Sequence, residues 1–187
     1  VTAGDRTYDA CNIVFATGLN RTPTIPTWRG LERFEGQVIH AADLGEVSQF
    51  DDKKVLVVGA GNSGADVLNH LARHNPRDVR ISVRYGPAII PQRVFGFPVH
   101  GAAKLFAERP LRMVDPVLAA VQRLYFGDLK QYGLTSHSTG GGTRMATEGV
   151  TIAIDDGFVA AIKSGRFKVV GEITEFWTDR VSFDCFR

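Results

Sequence analysis

Cysteine is nearly missing: the 187 residues hold two, Cys11 and Cys185. Two thiols cannot build a disulfide framework, and both lie in apolar, strand-like stretches, so a reducing, cytoplasmic setting is expected. Charge of one sign is not in excess either. Lys and Arg number 22 against 20 Asp and Glu, and the cations are scattered, which argues against a nucleic-acid-binding surface. No stretch reaches the roughly 18 consecutive apolar residues of a membrane span, and no secretory leader is expected. His70, His74, His100 and His137 lack metal-ligand spacing with cysteine or acid partners, so no metal site is expected. The G-x-S-x-G elbow and the C-x-x-C pair are both absent, and the missing redox cysteine pair argues against a disulfide reductase.

What is present reads as one globular α/β unit with an appended piece. Cys11–Ala16 is a short apolar run of strand formers. Asn20–Gly30, with Pro23 and Pro26, is a stiff connector, and Val38–His40 suits a small edge strand. At Lys54 a stronger pattern begins. Val55–Val58 reads as a strand, then comes a glycine turn, then a helix with Ala65, Leu68, Leu71 and Ala72 on one face. Asn75 and Pro76 end that helix, and a second strand runs to Arg84. The unit has the length of a βαβ crossover, and its continuously apolar first strand suits a parallel sheet covered on both faces. Leu105–Phe126 is expected to be mostly helical, interrupted by Pro110 and Pro116. Gly127–Thr147 reads as a loop region in which Gly140–Gly142 is flexible, since it lacks the Lys-Ser/Thr of a P-loop. A short helix at Phe158–Lys163 and strands at Phe167–Val170, Ile173–Trp177 and Val181–Phe183 complete the reading. The fold class is therefore α/β: a Rossmann-like doubly wound parallel sheet with a small antiparallel β hairpin.

Gly59, Gly61 and Gly64 form G-x-G-x-x-G directly after a strand and directly before a helix, the context in which the string signifies dinucleotide binding. Gly59 permits the tight turn, Gly61 lets a pyrophosphate approach the backbone, and Gly64 lets helix and strand pack closely. Asn62 and Ser63 occupy the first helical positions, within reach of a phosphate or ribose at the positive end of the helix. About 20 residues on, an acid would bind the ribose of NAD. Ser82 and Arg84 stand there instead, and an arginine suits the 2′-phosphate of NADPH. Gln92 and Arg93 are candidates for the nicotinamide side, although a surface turn fits them equally well. The Phe95–Phe106 stretch reads as surface-helix packing, with a substrate-side or membrane-facing role left open.

Three ordered segments resemble the class B flavin-dependent monooxygenases: "FATG" (Phe15–Gly18) followed by "LNRTPTIP", then "FEGQVIHAAD" (Phe34–Asp43), then "GAGNSGAD". Phe34, Gly36 and His40 match that family's F-x-G-x-x-x-H-x-x-x-[aromatic] string, with Leu44 departing from it at the aromatic position. The later segment "AIDDGFVAAIKSGRFKVVGEI" is similar to the YUCCA-type branch. The resemblance implies FAD and NADPH as cofactors and O2 and a small organic molecule as substrates. One oxygen atom would be inserted through a C4a-(hydro)peroxyflavin. It further implies that Thr17 and Gly18 form a hinge near the flavin side and that His40 organises the linker.

On this reading residues 1–50 are a remnant of an FAD domain with hinge and linker, and 51–187 are an NADPH-binding domain truncated at its C-terminal end. The family's FAD-binding turn is expected N-terminal to Val1, in a longer polypeptide. Homo-oligomer formation stays open. Two alternatives remain at this stage: a non-catalytic nucleotide-sensing module, and an NADPH-dependent flavoprotein reductase without oxygenation.

Overall fold

The computed structural model describes residues 1–14, 16, 22–99 and 109–184. Thr2–Ala3 (β1) and Arg6–Thr7 (β2) pair as a short antiparallel hairpin. The strand expected over Cys11–Ala16 is not formed at the described residues of that stretch. Ile13 is 54% and Val14 87% exposed; apolar side chains alone do not make a strand when no neighbouring ladder takes up the backbone groups. Cys11 is likewise exposed and free, not strand-packed. Val38–His40 also forms no edge strand and leads instead into a 3-10 turn at Ala41–Asp43.

The βαβ unit is formed as its pattern requires. Lys54–Val58 is β3, Asn62–Ala72 is α1 and Asp78–Ser82 is β4. Ile89–Pro91 (β5) follows, then Arg93–Val94 (β6) and Phe97–Pro98 (β7), Leu111–Phe126 (α2) and Gly141–Glu148 (α3). Ala153–Asp155 (β8), Phe158–Lys163 (α4), Phe167–Val170 (β9), Ile173–Phe176 (β10) and Val181–Phe183 (β11) complete the order. β4 is the central strand of a parallel sheet, flanked by β3 and β9. β5 and β8 make a second parallel pair, and β6–β7 and β10–β11 are antiparallel hairpins.

Two expectations about the middle of the chain change. Pro116 does not interrupt α2, which runs through it as an interior residue; its missing amide removes one bond of the ladder, and the turns on either side continue. The expected loop over Gly127–Thr147 contains α3, which begins in the glycine run itself.

The core forms on one face of the parallel sheet. With a period of two along each strand, Val57, Val79, Ile81 and Phe167 turn to the same side and meet Ala65, Leu68 and Leu71 of α1 and Phe158, Val159 and Ile162 of α4. Leu68, Leu71 and Phe158 are fully buried, each contributing roughly 1.5–3 kcal/mol. The opposite face carries half-buried Leu56, exposed Arg80 and Lys168, and Val58 at 48% exposure. Coverage of both faces, expected from the apolar strand, is therefore not seen among the described residues.

Asn69, on the core side of α1, is a buried polar group with every polar atom used. Its Nδ2 donates to the Ile154 carbonyl at 2.9 Å, and its Oδ1 accepts from the amides of Asp156 at 2.8 Å and Phe158 at 3.3 Å. It thereby ties α1 to the end of β8 and the start of α4. Asp155 completes the junction by accepting from the Val159 amide at 2.8 Å; burial of its carboxyl raises its pKa above the ordinary 3.8. Replacing Asn69 by leucine keeps the volume and strips three backbone groups of their partner. We expect Asn69→Leu to lower stability by about 2–3 kcal/mol, read from urea unfolding midpoints. A loss under about 0.5 kcal/mol would contradict this account of the junction.

Candidate functional site

The glycine turn sits at the C-terminal end of β3, where α1 begins. Gly59 has φ +86°, a conformation costly for any side chain, and its amide donates to the Ser82 carbonyl at 2.8 Å. That bond ties the turn to the end of β4. A Cβ on Gly64 would overlap the Gly59 carbonyl, whereas a Cβ on Gly61 would meet nothing within 4 Å. The third glycine is thus needed for close packing, and the second faces open space.

Gly61 is the N-cap of α1 and has no side chain with which to close it. The Asn62 amide makes a long 3.4 Å bond to Thr151 Oγ1. None of the described residues supplies an acceptor to the Ser63 and Gly64 amides. Asn62 and Ser63 are exposed. Donors at a helix N-terminus, a positive helix end and free space in front of a glycine make a ready anion seat.

Arg84 lies just past β4, on the same edge of the sheet. Its guanidinium is 76% exposed, and its Nε is 4.0 Å from Glu172 Oε1. The sequence offered no acid where β4 ends; the fold brings one there from the segment after β9, 88 positions along the chain, a proximity no local pattern reveals. Ser82 is not available to a ligand, since it is buried and its hydroxyl donates to the Gly171 carbonyl at 2.8 Å. Gln92 and Arg93 belong to the β6–β7 region: the Gln92 carbonyl accepts from the Val99 amide, and Arg93 Nη1 donates to the Gly96 carbonyl at 3.2 Å.

The Phe34, Gly36 and His40 string acts on the linker. The Phe34 ring stands edge-on to Phe176 at 5.3 Å, and Trp28 lies 5.6 Å from the same ring. A Cβ on Gly36 would run into the Phe34 ring, so the glycine leaves that aromatic room to reach the β10–β11 hairpin. His40 Nδ1 accepts from the Ala42 amide at 3.1 Å and caps the next 3-10 turn. Leu44, in the aromatic position of the string, packs against the core. Thr17 and Gly18 lie outside the described residues.

A cavity of about 260 Å³ lies beside the glycine turn, between the Gly86–Ala88 segment, α2, α3 and the approach to β8. Thr151 lines it, as do Arg123, Lys130 and Arg144; Gly59 and Gly61 do not. Asp115, from α2, stands at the N-terminus of α3. Its Oδ1 accepts from the amides of Gly142 at 2.7 Å and Thr143 at 3.1 Å, and its Oδ2 accepts from the Thr143 hydroxyl. A Cβ on Gly140 would collide with this carboxylate. The glycine run is therefore an anion cradle already filled by the chain's own aspartate, and not a flexible loop. Among the described residues no group of three His, Cys, Asp or Glu could hold a metal ion, and no helix is long and apolar enough to cross a membrane.

The family model for flavin-binding monooxygenase-like proteins matches residues 4–185. Among curated proteins, indole-3-pyruvate monooxygenase YUCCA1 of Oryza sativa subsp. japonica is 36% identical over 91% of this chain and 42% of its own length. A probable indole-3-pyruvate monooxygenase, YUCCA4 of Arabidopsis thaliana, is 33% identical over 96% of this chain and 44% of its own. The chain thus spans about two fifths of the length of these relatives. Among solved structures, OTEMO in complex with FAD and NADP superposes with a TM-score of 0.63 at 13% identity, over 89% of this chain and 43% of that one. Cyclohexanone monooxygenase from Rhodococcus sp. Phi1 bound to NADP+ gives 0.54 at 18% identity, over 89% and 42%. These likenesses support the α/β, Rossmann-type fold.

The Thr143 hydroxyl, followed in effect by burial in the opposite sense and by the two backbone amides, holds the Asp115 carboxyl below its ordinary pKa of 3.8. A carboxyl lowered on folding contributes stability above its unfolded pKa and loses it as pH falls through the folded value. We expect Asp115→Ala to lower stability by about 1 kcal/mol at pH 7, the usual cost of losing a helix cap. The gap from the unmodified chain should narrow as pH falls below 3.8. Urea unfolding at pH 7 and at successively more acid values checks both; a gap that widens in acid would overturn the assignment.

Proposed function

The chain belongs to the flavin-binding monooxygenase-like family, and on that premise we propose that it is the NADPH-binding portion of an FAD-dependent monooxygenase. Such an enzyme transfers one oxygen atom from O2 to a small organic substrate. The observation that carries the reading is the open glycine turn: the space in front of Gly61 is free, and the Ser63 and Gly64 amides of α1 lack an acceptor among the described residues. A pyrophosphate fits that seat in charge and in hydrogen-bonding sense. Gly59, Gly61, Asn62, Ser63 and Gly64 would hold it through the backbone, and the helix would orient the coenzyme across the sheet edge.

Arg84 would take the 2′-phosphate, forming charge-assisted bonds with its planar fork. Its ion pair with Glu172 is long and exposed on both sides, a class worth little in water, so the guanidinium is free to turn. When bound, the flavin supplies the oxygen chemistry and the nicotinamide the reducing equivalents. The chain holds one G-x-G-x-x-G, which is assigned to the nicotinamide coenzyme. Thr17 and Gly18 are proposed as a hinge on the flavin side by resemblance, and His40 as a residue that organises the linker. Residues 1–50 are accordingly assigned to the flavin-side linker and 51–187 to the NADPH-binding unit. The relatives named for indole-3-pyruvate make a 2-oxo carboxylate the first substrate class to try. Scarcity of cysteine favours a cytoplasmic location.

Two measurements test the proposal. Calorimetric titration should show NADP+ bound more tightly than NAD+, with Arg84→Ala weakening NADP+ by about tenfold or more and leaving NAD+ unchanged. Equal affinity for both coenzymes, or indifference to the substitution, would remove the 2′-phosphate assignment. In the complete enzyme, NADPH oxidation should be matched by O2 uptake and by oxygen in the product. Oxidation of NADPH with no oxygen transferred would point to a reductase.

A further inference from the structure

Thr151 is placed by geometry that has no need of its hydroxyl. Gly149, at φ +68°, ends α3 in the left-handed conformation and turns the chain. Two residues beyond Thr151, Ala153 enters β8 opposite Ile89, and its amide donates to the Ala88 carbonyl at 2.9 Å. Between these anchors the Thr151 side chain reaches the first turn of α1, 89 positions away, where Oγ1 accepts from the Asn62 amide at 3.4 Å. That bond is at the long limit for an N–H donor, so it leaves the amide weakly satisfied. Gly61 offers no side-chain cap, and Thr151 is the acceptor that the described residues give this first amide.

A hydroxyl both accepts and donates. A phosphate oxygen arriving at the Asn62 amide would replace a weak acceptor by a charged one, and the Thr151 O–H would then be free to donate to that same oxygen. Thr151 lines the cavity whose wall carries Arg123, Lys130 and Arg144 beside Asp115 and Asp128, and the Asp115 carboxylate is engaged with the N-terminus of α3. Arg144 is itself paired with Glu148 at 3.0 Å, so the charges of this wall largely offset one another and the hydrogen bond is what favours the anion.

We propose that Thr151 is a coenzyme-positioning residue whose hydroxyl switches from accepting the Asn62 amide to donating to the pyrophosphate of the dinucleotide. The inference rests on the reading of the glycine turn as the NADPH site and adds a ligand from outside the βαβ unit. No group is transferred in the step; one hydrogen bond is exchanged for another.

The test uses the full chain and NADP+ as the probe, with Thr151→Val and Thr151→Ser. Thr151 is exposed, and valine keeps its shape without the hydroxyl. Thr151→Val should raise the Kd for NADP+ about fivefold to tenfold, the net scale of one hydrogen bond at a solvent-exposed position. Thr151→Ser should stay within about twofold of the unmodified chain. Adenosine 2′-monophosphate, which lacks the pyrophosphate, should compete equally well with all three proteins. A residue that served only to cap α1 would shift the unfolding midpoint and leave the Kd alone. Thr151→Val binding NADP+ as tightly as the unmodified chain, or more tightly, would therefore overturn the inference while leaving the coenzyme site intact. An unmodified chain that binds no NADP+ would overturn the site and this inference together.

Discussion

The free N–H groups at the start of α1 are the constraint around which this chain is arranged. A helix exposes unpaired amides at its N-terminus, and they must find an acceptor. Two other helices of the chain close theirs internally: Asp115 takes the amides of α3, and Asp155 takes the Val159 amide of α4. Those carboxylates arrive from neighbouring elements, and the glycines at Gly140 and Gly142 leave room for one of them. At α1 the described residues provide glycine at the cap and a single distant hydroxyl. The difference lies at the cap: a carboxylate in place of Gly61 would satisfy the helix and repel a phosphate at once.

The βαβ unit was legible because everything that specifies it is local. Apolar residues at strand and helix spacing, glycine between them, and Asn-Pro after the helix all act within a few positions of one another. Each glycine of the turn has its own reason in the structure: a positive φ at Gly59, open space at Gly61, a carbonyl against Gly64. The short helix at Phe158–Lys163 was legible for the same reason, with Gly165 at φ +79° closing it. What escaped were features fixed by distant partners. The glycine run of α3 reads as a loop until Asp115 is placed beside it, and Glu172 meets Arg84 only after an intervening crossover. The stretch from Cys11 failed in the opposite direction, since it has strand composition and no strand beside it.

The linker string shows how a motif can be informative about family and silent about chemistry. Phe34 and Gly36 together seat one ring on the β10–β11 hairpin, and backbone bonds hold the same junction: the Phe176 amide donates to the Arg29 carbonyl and the Glu35 amide to the Thr178 carbonyl. Gly30 lies so close to Phe176 that any side chain there would strike its carbonyl. Farther on, Leu44 and Val47 reach the main core. The segment thus clasps the hairpin at one end and the sheet-and-helix core at the other.

That clasp bears on the candidate site through the same hairpin. β10 begins directly after Gly171 and Glu172; Gly171 accepts the Ser82 hydroxyl, and the Glu172 carbonyl accepts from the Asp184 amide at 2.8 Å. Gly171 is packed against the Asp184 carbonyl so closely that a Cβ would not fit. The position of Glu172, and with it the setting of Arg84, is therefore determined by how the hairpin is held, and the hairpin is held by Trp28 and Phe34 of the linker. A change in the linker has a physical route to the end of β4 that passes through packed rings and backbone hydrogen bonds, with no need for a flexible element in between. The aromatic cluster and the exposed arginine are thus linked: the first sets the backbone at Glu172, whose exposed carboxylate faces the second at 4.0 Å.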